Sequence, residues 1–176
     1  TPVVSSAASD VYKRQEQIRP TLMKQMGLES LPTLDIIFTA EDEVLNGFAV
    51  PANYTIIWVD QNDAALWTGD EKWLRTVLAH ELQHLVYFNT VKGPWWLPEP
   101  MNSLAHGTPA WIVEGIAEYF TEEWRPFRYE LSHRYHVLRN TVHKIQDPHN
   151  DGYSKSLYFA DRFGDSTISK ILNHRN

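Results

Sequence analysis

Cysteine is missing from this chain of 176 residues. That excludes a disulfide framework and any thiolate metal site. A metal ion held here must therefore use His, Asp or Glu. The lack of cysteine leaves the cellular compartment open. Long hydrophobic runs are missing too: no segment approaches the roughly 18 apolar residues of a membrane span, and no signal peptide is visible. Positive charge is in deficit, with 16 Lys and Arg against 22 Asp and Glu, a formal net charge of −6. This argues against a nucleic-acid or anionic-membrane partner. Repeats, low-complexity tracts and an interdomain linker are absent as well. Apolar residues make up 43% of the chain. At this length one domain can bury roughly 70% of its unfolded surface.

The first stretch needs separate treatment. Asp10-Val11-Tyr12-Lys13-Arg14-Gln15 reads like one frame of a sequencing-adapter end. Residues 1–15 are therefore expected to be non-native and residues 16–176 to form a single domain. A native polar tail is the other reading. The chain starts at Thr1 rather than Met, and the last helix lacks a stop signal, so truncation at either end is an expectation here.

Helical spacing covers 16–26, closed by Gly27, with Pro20 disturbing its first turn. Strands are expected at 34–38 and 54–59, and Asn46-Gly47 suggests a turn. Residues 71–88 form an apolar helix that should be buried. A long loop with Trp95, Trp96, Pro98 and Pro100 follows, up to Pro109; loops of such length are more often functional than incidental. Further helices are expected at 110–124, 127–145, 153–163 and 165–172, with 147–152 as a turn.

The helix at 71–88 contains His80-Glu81-Leu82-Gln83-His84. Residues four apart share one helix face, so both imidazoles can reach one ion. Glu81 stands beside them, where a carboxylate can take a proton from water activated by that ion. Two core histidines would be the bland account. Against it, unpaired polar groups on a buried helix are costly, and a metal would account for them. Glu114 and Glu118 lie one turn apart on the next helix. A catalytic zinc needs three protein ligands and an open position. Glu114 would be the third ligand, and Glu118 would reach the outer N–H of His80. The reversed assignment and exposed glutamates are the alternatives. Gly115 and Ala117 are small enough to let this helix approach the motif helix closely.

Together, Ala79-His80-Glu81-Leu82-Gln83-His84 and Trp111-x-x-Glu114-Gly115-x-Ala117-Glu118-Tyr119 resemble the gluzincin zinc metallopeptidases, the thermolysin-like and aminopeptidase-like group. Bacterial peptidase-MA-like domains, with a run such as Trp73-Leu74-Arg75-Thr76 before the motif, are the nearest likeness. The resemblance spans about residues 34–172 and is specific at the two motifs. It departs in the spacing from His84 to Glu114, about thirty residues, which is more than in thermolysin. The resemblance implies an α+β, zincin-like fold, with a small sheet over the motif helix and a mostly helical C-terminal half. It also implies one zinc per chain, peptide or protein substrates, and an extracytoplasmic or secreted setting. Glu81 would be the general base. Tyr153, at the start of a downstream helix, would donate to the oxyanion, with Tyr158 as its rival. The strand with Ile57 and Trp58 would be a sheet edge along the cleft, taking an extended peptide. Gly47, Phe48 and Ala49 would line the same cleft.

Weaker signals point elsewhere. His133, His136, His143 and His149 read as solvent-exposed. Residues 147–158 only partly mimic a calcium loop, because position three is His and position twelve is Tyr158. Asn53-Tyr54-Thr55 matches a glycosylation sequon. Trp95, Trp96 and Trp111 serve as well in a core as in apolar subsites. Competing with hydrolysis of peptides are a metal-stabilised binding module without catalysis and a zinc hydrolase of non-peptide bonds. Glu99 or Glu41-Asp42-Glu43 would be the groups to grip a free amine if the enzyme trims chain ends.

Overall fold

The structure, a computed structural model, describes residues 2–39, 47–59, 70–91 and 108–173. Trp95, Trp96, Glu99, Glu41-Asp42-Glu43 and Asn46 lie outside these residues. The class is α+β, mostly helical, with one three-stranded sheet.

Helix α1 (Pro2–Met26) begins well ahead of residue 16 and runs through Pro20. Proline removes one backbone hydrogen bond from a helix interior. The apolar face beyond it, Ile18, Leu22 and Met26, is fully buried against the core. Gly27 ends the helix at φ 70°, with Leu28 N–H bonded to Met23 O and Gly27 N–H to Lys24 O. This is the double-bonded glycine stop that a left-handed residue permits.

Strands β1 (Asp35–Thr39), β2 (Gly47–Val50) and β3 (Tyr54–Trp58) form a sheet in the order β1-β3-β2. β1 runs parallel to β3, and β2 antiparallel to it. The strand with Ile57 and Trp58, expected at an edge, is therefore the central one. Ile57 is buried in the core. Among the described residues the edges are β1 and β2, and β2 was concealed by the Asn46-Gly47 turn signal. Pro51, Ala52 and Asn53 connect β2 to β3, with Asn53 at φ 66°, a conformation asparagine tolerates well.

Helix α2 (Asp70–Thr90) carries the paired histidines and is buried along its whole length from Val77 onward. It packs between α1, strands β2 and β3, and the next helix. Asn89 Nδ2 donates to Asn53 Oδ1 at 2.8 Å, tying the helix to the hairpin turn. Thr76 Oγ1 donates to Trp124 O at 3.3 Å, tying its other end to the segment after α3.

Helix α3 (Ala110–Phe120) stops four residues earlier than its apolar pattern suggests. The Thr121 hydroxyl bonds back to Ala117 O, and a 3-10 turn, Glu122–Trp124, follows. The polar helix expected at 127–145 shrinks to α4 (Glu130–Leu138). Phe127 at φ 70° and Asn140 at φ 53° break the helical run on either side. Helix α5 (Pro148–Phe163) takes in the segment expected as a turn. Asp147 caps it, accepting Asn150 N–H at 3.2 Å, and Pro148 fills the first helical position. Helix α6 (Thr167–Leu172) follows Gly164.

Glycine decides how α3 meets α5. A Cβ on Gly115 would lie 2.2 Å from Gly152 Cα, and one on Gly152 would lie 1.9 Å from Trp111 O. The small residue at 115 thus serves contact with α5, not with α2. Among the described residues, no helix is long and apolar enough to cross a membrane.

Candidate metal centre

Spacing along α2 puts His80 and His84 on one face. Their Nε2 atoms are 3.0 Å apart. Helix α3 brings Glu114 to the same point: its Oε2 lies 3.3 Å from each of those nitrogens. The three atoms form a nearly equilateral triangle. Ligands about 2.05 Å from a tetrahedral ion would be about 3.3 Å apart. The triangle therefore has the size a four-coordinate divalent cation requires, with two nitrogen donors and one oxygen.

A second ring of contacts fixes the first. Glu118 Oε1 lies 3.3 Å from His80 Nδ1, the ring nitrogen turned away from the triangle. The same oxygen is 3.4 Å from Arg125 Nη1, and Glu118 is buried. His80, Glu118 and His149 make another group within coordinating range. The triangle on Glu114 is the better ligand set, because Glu118 is already engaged by Arg125.

The local field favours positive charge. Burial pulls the His80 imidazole down, but Glu114 and Glu118, with Glu81 behind them, outweigh it and carry its pKa up to about 10. Burial would raise the Glu114 carboxyl, yet hydrogen bonds from His149, His80 and His84 hold it far below the usual carboxylate range. A cluster with this donor set and this field suits a cation.

Glu81 is buried one residue after His80. Burial pushes its carboxyl up, and His84 and His80 partly offset this. The Ala49 N–H donates to it from β2. Gly47 leaves the space: a Cβ there would come within 2.7 Å of Glu81 Cγ and Oε1. β2 and α2 together therefore hold this carboxylate at the wall of a cleft of about 1160 Å³. His80, His84 and Glu114 line that cleft, as do Gly47, Phe48 and Ala49.

Other expected site residues lie elsewhere. Ile57 and Trp58 do not line the cleft. Tyr153 does not line it either. It sits in the second turn of α5, buried, with its ring near those of Tyr119, Tyr129 and His133. Burial also pushes its hydroxyl pKa up. Tyr158 is exposed and pairs with Phe159. Trp111 lies under the Lys155 ammonium, 4.3 Å from its ring centroid.

His149 was read from the sequence as an exposed turn residue. Its Nε2 is 3.1 Å from Glu114 Oε2, and its ring stacks beside that of His80 at 5.7 Å. Tyr129 also stacks with it, at 6.3 Å. The Asp-Pro pair at 147–148 is a helix-start signal, and it would have placed His149 on the first turn of α5. Compared with protein-family models, curated proteins and solved structures, the chain matches none of them.

Proposed function

We propose that this chain is a zinc-dependent peptide-bond hydrolase of the gluzincin type, with a zincin-like arrangement of sheet and motif helix. The observation that carries the reading is the triangle of His80, His84 and Glu114 beside the buried Glu81, in one cleft. His80, His84 and Glu114 would hold the ion. Two imidazoles and one carboxylate are a common donor set for catalytic zinc. Bound there, zinc would supply Lewis acidity, acidifying water and polarising a carbonyl.

The protein's own groups do the rest. Glu118, 3.3 Å from His80 Nδ1, would accept the outer N–H of His80, and with an ion bound this leaves the Nε2 lone pair for the triangle. Arg125 holds Glu118 in that position. Glu81 takes the proton of the attacking water and returns it to the leaving amine. His149, whose Nε2–H rests on Glu114 at 3.1 Å, would turn that N–H to the developing oxyanion. The edge of β2, where Gly47, Phe48 and Ala49 line the cleft, offers main-chain groups to an extended peptide. That edge favours a peptide over a non-peptide substrate.

A binding module without catalysis is the competing reading. A purely structural zinc would not need Glu81 at the cleft wall. The test is the Glu81→Gln variant. It should bind zinc like the parent and lose roughly 10²–10⁴ of the peptide-hydrolysis rate. Parent activity should vanish with a chelator and return with zinc. Undiminished hydrolysis by the variant would remove Glu81 from the chemistry.

A further inference from the structure

Charge along the cleft is not even. Among the described residues, three carboxylates line it, Glu81, Glu114 and Glu118, and all three belong to the candidate metal centre. The other charged residues described in the wall are Lys72, Arg75, Arg125 and Arg128, of which Arg75 also borders a second, smaller pocket beside Lys13 and Arg14. In a chain with a net charge of −6, four cations gathered in one cleft stand out.

Their partners are few. Arg125 meets Glu118 at 3.4 Å through Nη1, and a guanidinium has further N–H donors. Arg128 lies over the Tyr129 ring, 5.1 Å from its centroid. Among the described residues, neither Lys72 nor Arg75 forms an ion pair. Arg75 Nε is shielded from solvent and has no acceptor among those residues. A buried charged donor without an acceptor is costly. Lysine pairs with a carboxylate as a point charge, and the planar arginine fork can do so with two parallel bonds.

We propose that the cleft selects peptides with an acidic group, held by the exposed ends of Arg75, Lys72, Arg125 and Arg128. This rests on the reading of the site as a peptide hydrolase. Arg75 and Lys72 precede His80 by five and eight residues on α2, or about 7.5 and 12 Å of helix rise. An extended peptide advances about 3.3 Å per residue, so for a peptide that crosses the cleft in the direction of α2 the acidic group falls roughly two to four residues from the cleaved bond. Its source is an Asp or Glu side chain or a free chain end.

The experiment uses zinc-loaded Glu81→Gln protein and four matched fluorescent peptides. These carry Glu or Gln at the third position after the bond, each with a terminal acid or amide. Anisotropy titration should give about tenfold tighter binding for the peptide with the carboxylate in reach. Glu against Gln identifies a side chain, and acid against amide identifies a chain end; a gap in either pair supports the proposal. Arg75→Gln should abolish the gap, and Lys72→Gln, at an exposed position, should narrow it. Equal binding of all four peptides, or a gap unchanged in both variants, overturns the proposal. Turnover is a separate readout. Parent protein that cleaves without charge preference sinks this inference alone. Protein that prefers acidic peptides but cleaves none leaves the carboxylate site standing and sinks the hydrolase reading.

Discussion

At the scale of single side chains, His149 lines the cleft and Tyr153 does not, the reverse of what their sequence positions suggest. Tyr153 follows a glycine at the point where a downstream helix would begin, yet α5 starts five residues sooner. That shift turns Tyr153 into the core and brings His149 to Glu114. Replacing His149 by Gln should lower kcat about 10²-fold, the usual cost of one oxyanion donor, with zinc still bound. Replacing Tyr153 by Phe should change kcat by less than about threefold, because burial of the ring is retained. Steady-state kinetics on both variants checks the pair, and the opposite ranking would return the donor role to Tyr153. The histidines of α2 and the two glutamates of α3 were legible because each pair is local, four residues apart on a helix. His149 was not, because its neighbours come from α2, α3 and the residues before α4, which no local spacing encodes.

At the scale of elements, the site depends on how α3 is clamped. It touches α2 through the metal centre and α5 through the Gly115–Gly152 contact. Gly152→Ala would drive a methyl group into Trp111 O, at a distance no relaxed packing allows. We expect a loss of more than about 3 kcal/mol, read from urea unfolding, because backbone must move rather than a side chain. The same displacement should weaken zinc binding, since Glu114 rides on α3 and His149 on α5. Ser156→Ala, on the same helix, is the control for a mild change and should lose no zinc affinity. Helices α2 and α3 were readable from apolar patterning and β1 and β3 from β-branched runs. Strand β2 was not readable: four residues with a glycine at the start resemble a turn. Its position beside Glu81 is set by pairing with β3 and by space at Gly47. The polar segment after α3 gave too long a helix because its breaks are backbone conformations at Phe127 and Asn140, which composition does not reveal.

At the scale of the whole molecule, the candidate metal centre draws its residues from both halves of the fold. The sheet and α2 supply two imidazoles and Glu81, and the helical half supplies Glu114, Glu118 and His149. No disulfide can link the halves, because the chain has no cysteine. Any ion bound only by the folded chain stabilises it, by about 2.7 kcal/mol at a free concentration of 100 times Kd. Thermal unfolding should therefore shift upward as zinc is added, and a chelator should reverse the shift. A reductant should have no effect. An unchanged Tm across a zinc titration would mean that the two halves meet without help from an ion.

The most direct measurement of the central claim is zinc stoichiometry with X-ray absorption at the zinc edge, on the parent chain and on Glu114→Ala. The parent should hold one zinc per chain, with a first shell of two imidazole nitrogens and oxygen ligands at about 2.0–2.1 Å. Glu114→Ala should lose most of that affinity while remaining folded. A parent that binds no zinc after dialysis against it, or a shell unchanged when Glu114 is removed, would contradict the account.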